Sequence, residues 1–237
     1  MYEQRNAYEN LTRMNFIGAG QYDIPTIWND EVKPEKFIGF NYAKTCKDPN
    51  GTCIHFFLDD YQFTRLWNRP NDYINLLSKF DCVCSPDFST YTDFPKAIQI
   101  YNHYRKHWLA AYWQMHGIKV IPTISWSDTD SFEWCFDGEP IGGTVAVSSV
   151  GTQNNKTAKK LFLNGYNEMM KRLEPETVIF YGTIPQECYG NIIRVKAFQE
   201  KFKEAKIDGR ERRFERFRWR RWNAPIKRNG KTNRTGE

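Results

Sequence analysis

Six short runs rich in β-branched and aromatic residues punctuate this chain, at 37–40, 53–58, 80–84, 119–124, 144–147 and 177–181. Each is followed by turn-forming residues, and several by a longer helical pattern. That alternation constrains the fold, because parallel neighbours in a sheet need a crossover long enough to hold a helix. The pattern predicts an α/β domain on a mostly parallel sheet, either doubly wound or closed into a partial or complete barrel.

The clearest helix is expected over 93–116, with Asp93 as N-cap, Pro95 in the first turn and Gly117 at the end. Ile98, Tyr101, Tyr104, Trp108, Ala111 and Tyr112 recur along it at helical spacing and are expected to face the sheet. A second helix is expected over 156–173, stopped by Pro175, with Leu161, Phe162, Tyr166 and Met169 on one side. A third is expected over 192–205. The first thirty residues are less regular and are expected to wrap the core rather than to form a domain. Of the 237 residues 40% are hydrophobic and 16% aromatic, enough apolar surface for one core spanning 1–208.

Charge is distributed unevenly. From Gly209 onward the chain carries 11 of its 34 basic residues and 3 of its 28 acidic ones, a net of +8. The first 208 residues hold the other 23 basic and 25 acidic groups, a net of −2. All the positive excess therefore lies in 209–237, which reads as a separate basic tail. Within it, Arg210, Arg212, Arg213, Arg216, Arg218, Arg220 and Arg221, with Lys227 and Arg228 further on, supply charge and bidentate donors for phosphates. Phe214, Phe217, Trp219 and Trp222 offer faces on which bases stack. RNA and single-stranded DNA are gripped by that combination, so nucleic acid is the expected partner. Two other readings stay open: an aromatic stripe docked on protein, and a plain solvated tail.

No apolar run approaches the ~20 residues needed to cross a bilayer, and Met1 to Arg5 lacks the basic-then-apolar layout of a signal peptide. A cytosolic location is expected. Six cysteines spread through a chain of this size are expected to be reduced and buried.

Open α/β sheets and barrels place ligands at the C-terminal ends of their strands. Asp59, Asp60, Ser85, Asp87, Ser125 to Asp128, Ser148, Ser149 and Tyr181 follow the expected strands. If they converge, Asp87, Ser127, Asp128 and Ser149 make a candidate catalytic set, and Asp60, Asp87 and Asp128 would suit Mg²⁺ or general acid–base work. No other cofactor is expected. Singly, Asp87 and Asp128 equally suit the capping of turns. His103 and His107 share a helix face at the spacing of a zinc pair, but the segment between them lacks a metalloprotease glutamate and no third ligand stands out. No metal is expected there, and a solvated face explains the pair. Gly18-Ala19-Gly20 is not a dinucleotide loop, having neither a third glycine nor a helix after it. Gly151, Thr152, Asn154 and Asn155, between a strand and a helix, suit a phosphate but are also ordinary turn residues.

The strings HFFLDDYQFTRLWNRP (55–70), SPDFSTYTDFP (85–95), AYWQMHGIKVIPTISWSD (111–128) and FDGEPIGGTVAVSSVG (136–151) resemble, in order, a bacterial and phage family catalogued as domain of unknown function 4417. The resemblance covers 22–207 and leaves the tail out. It implies a genetic context, phages and mobile elements of Gram-positive bacteria and hence the host cytosol, and brings no activity, cofactor or catalytic residue with it. Together these features point first to a nucleic-acid-binding accessory protein of a phage or mobile element. The alternatives are a nucleotide- or nucleic-acid-processing enzyme with strand-end carboxylates, and an inhibitor of a host defence or transcription complex.

Overall fold

The computed structural model describes residue 10 and residues 15–153, 155–198 and 200. The chain divides into one unit over Met1–Ala197 and a second over Phe198–Glu237. In the first, a small antiparallel pair, β1 (Gly18–Ala19) and β2 (Ile24–Pro25), precedes seven strands: β3 (Lys36–Gly39), β4 (Thr52–His55), β5 (Cys82–Cys84), β6 (Val120–Ile121), β7 (Thr144–Ser148), β8 (Thr177–Tyr181) and β9 (Ile192–Val195). Strands β3 to β6 pair in parallel in chain order, and so do β7 to β9. A parallel bridge between Thr123 and Ala146 joins the two sets, with Ile124 N–H donating to the Ala146 carbonyl at 2.8 Å.

Sequential order decides between the two expected architectures. A doubly wound sheet reverses its strand order at a switch point, and this sheet never does. It curls instead. The His55 and Phe57 rings at the end of β4 each lie 4.8 Å from the Tyr181 ring at the end of β8, although three strands intervene in the order. Cys53 and Ile54 share a core with Ile179 and Tyr181. The architecture is a partial parallel barrel, and strands such as Thr52–His55 and Cys82–Cys84 are buried along their whole length, as enclosed parallel strands must be.

The crossovers carry α1 (Phe40–Ala43), α2 (Thr64–Asn68), α3 (Asn71–Leu77), α4 (Lys96–Met115) and α5 (Lys156–Leu173). Helix α5 matches its expected span. Asn155 Oδ1 caps it by accepting from Ala158 N–H at 2.8 Å, and Glu174, in a left-handed conformation before Pro175, ends it. Helix α4 begins later than expected. Phe94 N–H bonds back to the Tyr91 carbonyl, which puts Asp93 in a preceding turn, and Pro95 stands at the cap position with no side-chain cap. The expected third helix is not found at 192–195. Ile192, Ile193 and Val195 are β-branched and extend the sheet as β9, in register with Val178, Ile179 and Tyr181.

The segment around Ile24 to Asp30 straps α4. Trp28 exchanges bonds with Gln114, N–H to Oε1 at 3.2 Å and Nε2–H to the Trp28 carbonyl at 2.8 Å. Ile27 N–H reaches the Gly138 carbonyl at 3.1 Å. All six cysteines are free thiols, and Cys53, Cys82, Cys84 and Cys135 are buried. Among the described residues no helix is long and apolar enough to cross a membrane.

Candidate functional site

The strand ends carry two carboxylates and several polar ties. After β4, Asp60 accepts from Ser89 N–H at 3.1 Å and from Ser89 Oγ–H at 2.8 Å, and lies 3.9 Å from the Arg105 guanidinium. After β5, Ser85 is locked to the end of β6: its Oγ accepts from Thr123 N–H at 2.8 Å, and its carbonyl accepts from Thr123 Oγ–H at 2.7 Å. Asp87 follows two residues on. It is partly exposed to solvent. Burial raises its carboxyl to about 7, against the pull of Lys106 and helped by the negative charge of Asp60.

The remaining expected site residues have structural partners. Asp128 Oδ1 accepts from Ser131 N–H at 3.1 Å, capping a 3-10 turn over Thr129–Glu133. Ser127 Oγ–H donates to Gln99 Oε1 at 2.6 Å. Ser149 Oγ–H donates to the Thr183 carbonyl at 2.6 Å, tying the end of β7 to the loop after β8. Asp60 and Asp87, with Arg105 and Lys106 of α4 beside them, are therefore the strand-end groups that the fold brings into mutual electrostatic reach.

Helix α4 buries polar residues that hydrophobic periodicity passes over: Gln99, Asn102, His103, Lys106, His107 and Gln114. The expectation of a solvated face for His103 and His107 is overturned, since both are buried against the 134–139 loop and the Ile24–Pro25 strand. Lys106 Nζ donates to the Thr123 carbonyl at 2.8 Å and to Glu139 Oε1 at 2.6 Å. His107 places Nδ1 2.8 Å from the Pro25 carbonyl and Nε2 2.9 Å from Glu139 Oε1. His103 Nε2 lies 3.0 Å from the Asp137 carbonyl. Burial first, then the neighbouring Lys106 and His107, push the His103 imidazole well below its ordinary range. Burial alone would raise Glu139, but the attraction of Lys106 and His107 outweighs it and keeps the carboxyl below its usual range.

Glu139 is also the third ligand type missing from the sequence pattern. Donor atoms of His103, His107 and Glu139 all lie within 4.8 Å of one another. The arrangement is thus open to three kinds of chemistry: proton transfer at Asp87, charge storage in the Lys106–Glu139–His107 cluster, and cation binding. The signal that could have found the cluster was the spacing of Gln99, Asn102, His103, Lys106 and His107, a helical stripe made of polar side chains. The arginines and aromatics over 210–222, with Lys227 and Arg228, lie outside the described residues, as does Asn154.

The sequence pattern of the family described as Domain of unknown function (DUF4417) matches residues 16–199. The chain is 38% identical over 174 residues to the Gene 1 protein of Mycobacterium phage L5, covering 73% of this chain and 76% of that protein. It is 36% identical over 188 residues to the Gene 1 protein of Mycobacterium phage D29, covering 78% of this chain and 70% of that protein. No solved structure matches it.

Proposed function

The chain belongs to the family described as Domain of unknown function (DUF4417), whose relatives above are phage-encoded, and from that premise we propose that it binds nucleic acid through its arginine-aromatic segment. The supporting observation is charge segregation: a net of +8 over 209–237 against −2 over the first 208 residues. Arginines at 210, 212, 213, 216, 218, 220 and 221 bind phosphates, Trp219 and Trp222 stack on bases, and the barrel supplies shape and contacts to host protein. The segment lies beyond the family-matched 16–199, so binding is an addition to the shared body. On this reading the protein works in the bacterial cytosol as an accessory factor of a phage or mobile element.

A salt series of binding to labelled single-stranded and duplex oligonucleotides tests it, comparing the full chain with one in which those seven arginines are glutamine. Phosphate contacts make affinity fall steeply with salt, and removing them flattens the slope. Equal binding by both chains, or by neither, rejects the reading. Loss of binding to a host nucleoprotein complex without loss of oligonucleotide binding would instead favour the inhibitor.

A second reading, a nucleotide- or nucleic-acid-processing site at the strand ends, is favoured by Asp87. A carboxyl raised to about 7 exchanges its proton near neutrality, which is what a general acid or base requires. Asp60 and Asp87 would also be the oxygen donors for Mg²⁺. Asp87→Asn should abolish turnover of a processed oligonucleotide while leaving its binding intact; undiminished turnover removes Asp87 from the reaction.

A further inference from the structure

Behind the strand-end carboxylates lies a group that neither reading uses. His103 and His107 stand one turn apart on α4, and Glu139 reaches them from the loop before β7. The side chains of His107 and Glu139 are fully shielded from water. Two imidazoles and a carboxylate are the donor set of zinc and its neighbours among the first-row metals.

The hydrogen bonding sets each ring for ligation. The Pro25 carbonyl only accepts, so His107 Nδ1 carries a proton, and Nε2 faces Glu139 Oε1 at 2.9 Å, where it either donates a second proton to the carboxylate or, without that proton, turns its lone pair to the gap. The two atoms share a cation, either the second proton of an imidazolium or a metal ion held to one side of the pair. The Asp137 carbonyl likewise takes the proton of His103 Nε2 and leaves Nδ1 as the donor nitrogen. Anchoring of one ring nitrogen on a backbone carbonyl is the outer arrangement that orients metal-binding histidines. Independently, Glu139 Oε2 and Asp137 Oδ2 are buried without a hydrogen-bond partner among the described residues. A buried carboxylate oxygen left bare is costly, and a cation offsets that cost. The backbone is also shaped to the site: a Cβ on Gly138 would fall 3.0 Å from His107 Nδ1.

We propose that His103, His107 and Glu139 bind one transition-metal dication of the zinc class. Lys106, 2.6 Å from Glu139 Oε1, remains paired with that carboxylate and repels a second positive charge. The site is therefore weaker than a four-ligand structural zinc centre and selective for metals that favour imidazole. A proton on His107 is the competing occupant of the same gap.

The full chain, stripped with a chelator and titrated with Co²⁺, distinguishes the two. The expected result is one equivalent bound, with visible d–d absorption of a low-coordinate site that Zn²⁺ displaces and that His103→Gln and His107→Gln each abolish. Pulsed electron paramagnetic resonance of the Cu²⁺ adduct of the wild-type chain reads two imidazole nitrogens directly, whether or not the variants fold. No Co²⁺ absorption at a tenfold excess over folded protein, uptake unchanged by both substitutions, or an adduct with fewer than two imidazoles overturns the proposal.

Discussion

Lys106 Nζ lies 2.6 Å from Glu139 Oε1 with the two side chains only 2% and 0% exposed, a buried ion pair between the middle of α4 and the loop before β7. Desolvation of both charges nearly cancels their attraction, so such a pair adds little net stability while its disruption is expensive. Lys106→Met should therefore destabilise by about 3–5 kcal/mol, because Glu139 stays buried and loses the ammonium that pairs with it, with only the His107 contact left. Lys106→Met combined with Glu139→Gln should recover most of that loss. Urea denaturation of the two single variants and the double measures the coupling, and additive losses would show that the pair does not act as a unit.

Asp87 makes stability depend on pH with a defined sign. Its folded carboxyl titrates near 7 and its unfolded one near 3.9. Between these values the native state holds the extra proton, so stability falls as pH rises from about 4 to about 7 and the loss is complete above. Discounted for partial solvent contact, the loss is about 1–3 kcal/mol. Asp87→Asn keeps the shape without the charge. Its stability should equal that of the wild type at pH 4 and exceed it by that amount at pH 8, as read by denaturant midpoints at each pH.

Much of the frame was legible beforehand because it rests on periodicity. The run at 177–181 and the helix at 156–173 declare themselves through β-branched residues in one and the spacing of Phe162, Tyr166 and Met169 in the other, and the structure buries those same side chains. Helix α4 was legible in extent but not in orientation. Its expected apolar face includes Ile98, which is 45% exposed, while Gln99, Asn102, His103, Lys106 and His107 are buried. Polar residues carry no hydrophobic signal, and their burial depends on partners such as Glu139 and Pro25, 33 and 81 positions away from Lys106. Strand β9 was missed for a related reason. Its buried neighbour is supplied by β8, and local pattern alone cannot distinguish four residues of strand from the start of a helix.

Gly165 sits inside α5, where alanine is ordinarily better by about 1 kcal/mol. Here a Cβ would fall 2.2 Å from the indole atoms of Trp126, a rigid ring that packs on Phe162. Steric cost outweighs propensity, and Gly165→Ala should destabilise by about 1–3 kcal/mol. Tryptophan fluorescence should shift together with the thermal midpoint; a stabilised variant would mean that the Trp126 ring swings aside freely.

Gly138 and Gly117 provide a matched comparison, since both adopt left-handed backbone, with φ of +76° and +73°. Alanine at either position costs the left-handed penalty of about 1–2 kcal/mol. A Cβ at Gly117 meets nothing within 4 Å, so Gly117→Ala should cost no more than that. At Gly138 a Cβ would lie 2.6 Å from the Pro25 carbonyl oxygen, the atom that holds His107 Nδ1 at 2.8 Å, and these contacts are backbone or fully buried. The strap over α4 must then move, and with it the orientation of the imidazole. Gly138→Ala should destabilise well beyond Gly117→Ala and displace the His107 ring resonances in a nitrogen-15 spectrum, whereas Gly117→Ala leaves them in place. Equal losses with unmoved resonances would show that the Pro25 segment yields without disturbing the histidine.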